Sequence, residues 1–271
     1  MAVAVGAAVG RLAFFVDRRH RQVALDNLRR AFGKEALDDA ALTRIARRAM
    51  MNLGRTAAEI AQLEGLGGAE LLRRVTIKGE EHLRAAQALG RGVLFLAGHF
   101  GNWEWMAAAL SLRGFPMHVV ARALDDPSLN VILNAARTRH GNVVLDKRLA
   151  AGELVRLLRA GQSIGILIDQ NTRVEDAVFV DYFGTPAATH KGPAIIALRT
   201  GAPVVPIFMV REGDRHRLTI HPALTLPHSG NLTDDLHQTT ALFTKTVEAA
   251  VRQHPDHWLW VHRRWKTQPK E

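Results

Sequence analysis

His99 and Glu104 stand five residues apart in Gly98-His99-Phe100-Gly101-Asn102-Trp103-Glu104-Trp105-Met106, directly after the apolar run Val93–Ala97. A histidine joined to a carboxylate is a general-base pair: the acid fixes the tautomer and stabilises the imidazolium, and the ring takes a hydroxyl proton. On one continuous helix, positions i and i+5 lie roughly 140° apart and would not meet. Gly98 and Gly101 point instead to a strand that ends, turns and hands over to a helix. Asn102 is a good N-cap for that helix. His99 then sits in the turn and Glu104 in the first helical turn, where the positive helix end favours an acid, and the two face each other. The plain alternative is a turn histidine beside an ordinary first-turn acid. The strand before, the glycines and the helix after favour the pair.

The elements that must hold this segment can be read from periodicity. Residues 17–63 are helical: Leu25, Leu28 and Phe32 recur at spacings of three and four, and Gly33 ends the first helix. A second helix starts after Asp38 or Asp39 and runs toward Leu63, and Gly65, Gly67 and Gly68 break the chain. Beyond Val75, short apolar runs alternate with amphipathic stretches. Strands are expected at Val75–Ile77, Val93–Ala97, Met117–Ala121, Asn142–Leu145, Ile164–Ile168, Val204–Met209 and Leu218–Ile220. Helices are expected at 103–112, 128–139, 149–160, 190–200 and 234–253. This alternation predicts an α/β fold with a mostly parallel central sheet and helices on both faces. Such sheets bind ligands beyond the carboxyl ends of their strands, where His99 falls. The expected division is a helical segment over 1–68, associated with a membrane, and an α/β domain over 69–271.

Composition narrows the chemistry. The 271 residues are 47% hydrophobic, enough for a sizeable core. There is no cysteine, which excludes disulfides, thiolate metal sites and a cysteine acyl-enzyme. A formal net charge of +10 implies an anionic partner, such as a phosphorylated lipid or an acidic carrier protein. Nucleic acid would rest on charge alone, and with Tyr182 the only tyrosine a base-stacking platform is not expected. Ala2–Val16 is apolar apart from Arg11; at about 22 Å as a helix it is too short to cross a ~30 Å hydrocarbon core. Arg18, Arg19 and Arg21 follow it. An apolar stub with a basic flank reads as an interfacial anchor on anionic lipid; a core helix with a solvated basic face is the other reading.

Two other motifs fail on context. Gly161-Gln162-Ser163-Ile164-Gly165 matches the serine-hydrolase elbow, which needs strand, serine, then helix; here a helix precedes Ser163 and a strand follows. The 13 histidines show no metal-ligand spacing, so no metal is expected.

The segment Gly98–Glu104 resembles the first block of the bacterial lipid A biosynthesis (lauroyl/myristoyl) acyltransferases, within the lysophospholipid acyltransferase superfamily. Arg137-Thr138-Arg139 with Val144-Leu145-Asp146 is similar to the family's basic substrate-binding stretch. Ile168-Asp169-Gln170-Asn171 with Val178–Gly184 and Pro186–Thr189 is similar to the third block, Gly201–Pro206 to the fourth, and Trp258–Lys266 to the C-terminal signature. The ordered set runs from about residue 18 to 269. Family members usually carry a longer hydrophobic N-terminus than this stub.

The resemblance implies transfer of a fatty acyl group from an acyl carrier protein or coenzyme A thioester to a hydroxyl of a phosphorylated glycolipid, with no cofactor, at the cytoplasmic face of the inner membrane. His99 then acts as base and Glu104 as its support. The N–H groups of Gly101 and Asn102 are oxyanion donors, because they lie at a helix start. Arg122, Arg137 and Arg139 can clamp phosphates or be solvated surface charges. Asp169 can position the substrate or cap the next turn, and Gln170 belongs to the same block. Trp258, Arg263, Arg264 and Trp265 suit a membrane interface, though packing onto the core is an equal reading for the neighbouring Trp260. Other acceptors (a lysophospholipid, an aminolipid or a phosphatidylinositol mannoside) keep the same chemistry. A non-catalytic lipid-binding protein does not use the His99–Glu104 segment.

Overall fold

The computed structural model describes residues 1–33, 35, 37–146 and 151–269. The chain begins as three helices, α1 (Ala2–Val16), α2 (Arg18–Phe32) and α3 (Asp39–Leu63), followed by the short α4 (Gly68–Arg73). Asp17 and Asp38 cap α2 and α3 by accepting from the N–H groups of His20 and Ala41. There follow β1 (Val75–Lys78), α5 (Glu80–Gln87), β2 (Leu94–Ala97), α6 (Trp103–Leu112), β3 (His118–Ala121), α7 (Pro127–Thr138) and β4 (Val143–Asp146). The second half holds α8 (Ala151–Arg159), β5 (Ile164–Leu167), β6 (Ala177–Tyr182), β7 (Thr185–His190), α9 (Gly192–Thr200), β8 (Val204–Glu212), β9 (Arg215–Ile220) and α10 (Leu232–Gln253). Of the helix expected at 149–160, residues 149 and 150 lie outside the described residues.

Seven strands form one sheet in the order β1-β9-β8-β2-β5-β3-β4. Every neighbouring pair is parallel except β8–β9, a hairpin closed at Gly213 and Asp214. β2 is central and buried at all four positions, which a parallel sheet covered on both faces requires. One face packs on α2, α3, α8, α9 and α10 through residues such as Leu28, Ala46, Leu158, Ile196 and Val247. The other packs on α4, α5 and α6 through Leu71, Leu83 and Trp105. Phe14, Leu28, Leu42 and Met50 of the N-terminal helices share a core cluster with Leu94 and Leu96 of the central strand.

The hairpin β6–β7 has no counterpart in the sequence pattern. Its two-residue turn, Phe183-Gly184, has φ of 57° and 72°, the left-handed pair of a tight hairpin. Phe183 tolerates this because its ring packs edge-on to Phe32 and its N–H donates to Glu248 at 2.8 Å.

α1 has an inverted distribution of side chains. Its buried side is small, Gly6, Ala7 and Gly10 with Phe14, and lies against α3. Its outward side shows Val5, Val9, Leu12, Phe15 and Val16. Among the described residues no helix is long and apolar enough to cross a membrane.

Candidate active site

The parallel register sets the central contact. β2 and β5 are neighbours with Ala97 opposite Leu167, so two residues beyond each strand end His99 stands beside Asp169. The Asp169 carboxylate accepts from His99 Nδ1 at 2.8 Å and from the His99 backbone N–H at 2.7 Å. The Trp258 indole N–H donates to the same carboxylate at 2.7 Å. Burial alone would raise the Asp169 carboxyl, but the charge on His99 and the hydrogen bonds from His99 and Trp258 outweigh it and hold it below the usual range. An ionised Asp169 makes Nδ1 the donor and leaves the Nε2 lone pair outward. There it meets the Gln170 amide nitrogen at 3.2 Å. The imidazole is partly exposed, edge-on to the Trp103 ring.

Glu104 does not face His99. Its carboxylate is buried against Arg137 of α7, with Nη2 at 2.6 Å and Nε at 3.0 Å from both oxygens. The first turn of α6 points this side chain at α7 and away from the strand ends. Arg137 is thus held in an ion pair through its Nε and Nη2. The expected His99–Glu104 pair is replaced by His99–Asp169, and Asp169, whose role the sequence leaves open, orients the imidazole.

The turn between His99 and α6 is fixed on every side. Gly101 has φ of 62°, and a Cβ there would lie 1.8 Å from the Met209 carbonyl. Its N–H donates to the His257 carbonyl at 2.8 Å, which corrects the expectation that this group is an oxyanion donor. Asn102 is 0% exposed: its side-chain oxygen caps the Trp105 N–H at 3.0 Å and its amide donates to Glu59 at 2.8 Å, so its side chain is engaged within the turn. Glu59 of α3 also receives Arg211 Nη2 at 2.6 Å and His216 Nε2 at 3.0 Å. Burial would raise the Glu59 carboxyl, yet these partners lower it to about 2. Nothing in the linear pattern marks Glu59, Arg211 and His216, because they meet only through the fold.

The C-terminal segment is a strap under this turn and not a membrane surface. Trp258, Trp265 and Arg264 are all buried, Trp258 on Asp169 and Arg264 donating to the Ala188 carbonyl and the Thr189 hydroxyl. The Leu259 N–H donates to the His99 carbonyl at 3.1 Å. Of the four residues expected at an interface, Arg263 alone is exposed. At the other end, Arg18 and Arg19 are exposed, whereas Arg21 donates to the carbonyls of Phe14 and Phe15 at the end of α1. Arg122 lies exposed at the end of β3, 3.4 Å from Asp125, and Arg139 donates to the Glu64 carbonyl at the end of α3.

A narrow apolar cleft opens at His99, between Ala24, Ala46, Met50 and Leu53 of α2 and α3 and the 257–261 strap. A larger cavity of about 570 Å³ between β8, β9 and α10 touches Phe100 but does not reach the imidazole.

An imidazole oriented by a buried carboxylate, at the carboxyl edge of a parallel sheet and beside an apolar cleft, is the arrangement of an enzyme site. The chain belongs to the bacterial lipid A biosynthesis acyltransferase family, whose sequence profile matches residues 1–267. It is 26% identical over 269 residues to the lipid A biosynthesis lauroyltransferase of Escherichia coli (strain K12), covering 98% of this chain and 85% of the relative. It is also 26% identical over 261 residues to the myristoyltransferase of the same organism, covering 96% and 80%. A phosphatidylinositol mannoside acyltransferase of Mycobacterium tuberculosis (strain CDC 1551 / Oshkosh) is 29% identical over 220 residues, covering 78% and 67%. The protein is thus an acyltransferase that transfers groups other than aminoacyl groups.

Proposed function

We infer that the protein moves a fatty acyl group from a thioester, of acyl carrier protein or coenzyme A, to a hydroxyl of a lipid A precursor. The observation that carries the mechanism is the His99–Asp169 contact. Asp169 holds Nδ1–H, so Nε2 is the base. The acceptor hydroxyl takes the place of the Gln170 amide at Nε2 and gives up its proton as its oxygen attacks the thioester carbonyl. Collapse of the tetrahedral intermediate breaks the C–S bond, and the imidazolium proton goes to the departing thiolate. The products are an ester and a thiol, and no acyl-enzyme forms. With the Trp105 N–H taken by the Asn102 side chain, the Trp103 and Glu104 N–H groups at the start of α6 support the oxyanion. The cleft at His99 receives the start of the acyl chain.

The relatives named for lipid A acylation support the acceptor, and the chain's net charge of +10 suits a phosphorylated substrate. The outward apolar side of α1, followed by exposed Arg18 and Arg19, supports association with anionic lipid at the cytoplasmic face of the inner membrane. The mycobacterial relative favours a second acceptor reading, a mannosylated phosphatidylinositol. Purified protein offered each thioester with each acceptor, with products read by mass, tests the proposal. An ester on neither lipid, or full turnover in His99→Ala, sinks it.

A further inference from the structure

α7 carries an apolar stripe at helical spacing, Leu129, Ile132, Leu133 and Ala136, that is covered at one end only. Ala136 is buried and Leu133 half-buried, but Leu129 is 57% exposed and Ile132 51%. On the far side of the helix Val131 is 68% exposed, and Leu124, just ahead of the helix, is 40% exposed. The first half of α7 therefore projects beyond the body that covers its second half. A soluble surface does not ordinarily concentrate four large apolar side chains within nine residues, so this patch has an occupant.

We propose that the first half of α7 is a second lipid-contacting element, which dips into the acyl region of a bilayer beside the catalytic cleft; the idea rests on the lipid-acceptor reading of His99. Three observations favour a bilayer over an acidic protein or another copy of the chain. The patch carries no net positive charge: Asp125 lies by Arg122, and the Asp126 carboxylate accepts from the Ser128 and Leu129 N–H groups at the helix start. From 123 to 136 the chain carries no lysine or arginine to offer an acidic carrier protein. α1 shows the same inversion, small residues inward and large apolar ones outward, and both helices rest on α3. Finally, α7 stands one helix from the chemistry: its Arg137 grips Glu104 of α6, and Trp103 of α6 packs on the His99 ring. The patch itself follows the carboxyl end of β3, which pairs with β5, so it lies on the edge of the sheet where His99 and Asp169 stand. Because the patch has no net positive charge to be screened, its contribution to binding is hydrophobic and does not weaken with salt, unlike that of Arg18 and Arg19.

The chain has no cysteine, so one introduced thiol reports one position. Ile132→Cys carrying an environment-sensitive fluorophore is mixed with vesicles of phosphatidylethanolamine and phosphatidylglycerol. Gln162→Cys, exposed at the amino end of β5, serves as the control. The expected result is a blue-shifted, brighter signal at 132 that persists in high salt while the protein stays bound, and no change at 162. In parallel, Leu129→Glu with Ile132→Glu weakens vesicle binding about tenfold while turnover of a detergent-dispersed acceptor is kept. A label at 132 that stays in water on vesicle-bound protein overturns the proposal. So does a shift that appears without vesicles and grows with protein concentration, which marks self-association. Transfer activity with no shift at 132 spares the catalytic reading; a shift at 132 in a chain without transfer does the reverse.

Discussion

His99 Nδ1 lies 2.8 Å from the Asp169 carboxylate because the strands that end before them are parallel neighbours in register. No flexible side chain has to reach across a gap, so the imidazole is aimed by the sheet itself. Asp169→Asn keeps the shape but removes the charge that fixes the tautomer and supports the imidazolium. Loss of turnover by roughly a hundredfold to ten-thousandfold is expected, comparable to His99→Ala. Glu104→Gln, compared per folded molecule, costs far less. Equal losses in the two acid variants, measured on material with matched near-UV circular dichroism, would falsify the assignment of Asp169 as the partner of His99.

Glu104 and Arg137 instead form a buried pair, and its energetics have a distinct signature. Removing one member leaves the other charge uncompensated, which costs about 3–5 kcal/mol. Replacing both with apolar residues of similar size restores most of that. Urea unfolding of Glu104→Leu, Arg137→Met and the double variant is expected to show a large coupling energy, with the double more stable than either single. Additive effects would mean that the contact is idle.

Much of the site was legible, and what was not has a common cause. Strand and helix positions followed from periodicity, because each element buries its own stripe. The glycine turn and the Asn102 cap were readable in one short segment. The partner of His99 was not, because it lies 70 residues away and its position depends on which strand neighbours β2. Asp169 had the right signal, an acid just beyond a buried strand; the order β2-β5 was the missing piece. The tryptophans near the C-terminus misled for a related reason. Tryptophan among arginines looks the same at an interface and in a strap, and only the Trp258 hydrogen bond to Asp169 tells them apart. Phe183 hid a hairpin because a phenylalanine rarely occupies a left-handed turn position.

The Glu59 cluster predicts how stability responds to acid. Its folded value, about 2, lies below the ordinary glutamate value of 4.5, so folding is favoured wherever the carboxylate is ionised in both states. That stabilisation, about 3 kcal/mol, is present above pH 4.5 and is lost as the pH falls toward 2. Asp169 is also lowered and acts in the same direction. Glu59→Gln is expected to be less stable than the parent at pH 6, with the gap closing toward pH 2. A gap independent of pH would show that the charge of Glu59 contributes nothing.

The backbones of α1 and α3 touch: a Cβ on Gly54 would lie 2.1 Å from the Gly6 carbonyl oxygen, and one on Gly10 would lie 2.2 Å from that of Met50. Neither atom belongs to a flexible side chain, so Gly54→Leu cannot be accommodated while α1 stays in place. What α1 contributes to the core is small, chiefly Phe14, and its detachment costs about 1.5–3 kcal/mol, too little to unfold the body. The expected phenotype is therefore local. Trypsin cuts at Arg11 much faster than in the parent, while near-UV circular dichroism and turnover of detergent-dispersed substrates stay close to normal. On the proposal that α1 rests on lipid, transfer to a vesicle-embedded acceptor falls as well. An unchanged rate of cleavage at Arg11 in Gly54→Leu would show that α1 does not depend on this contact for its position.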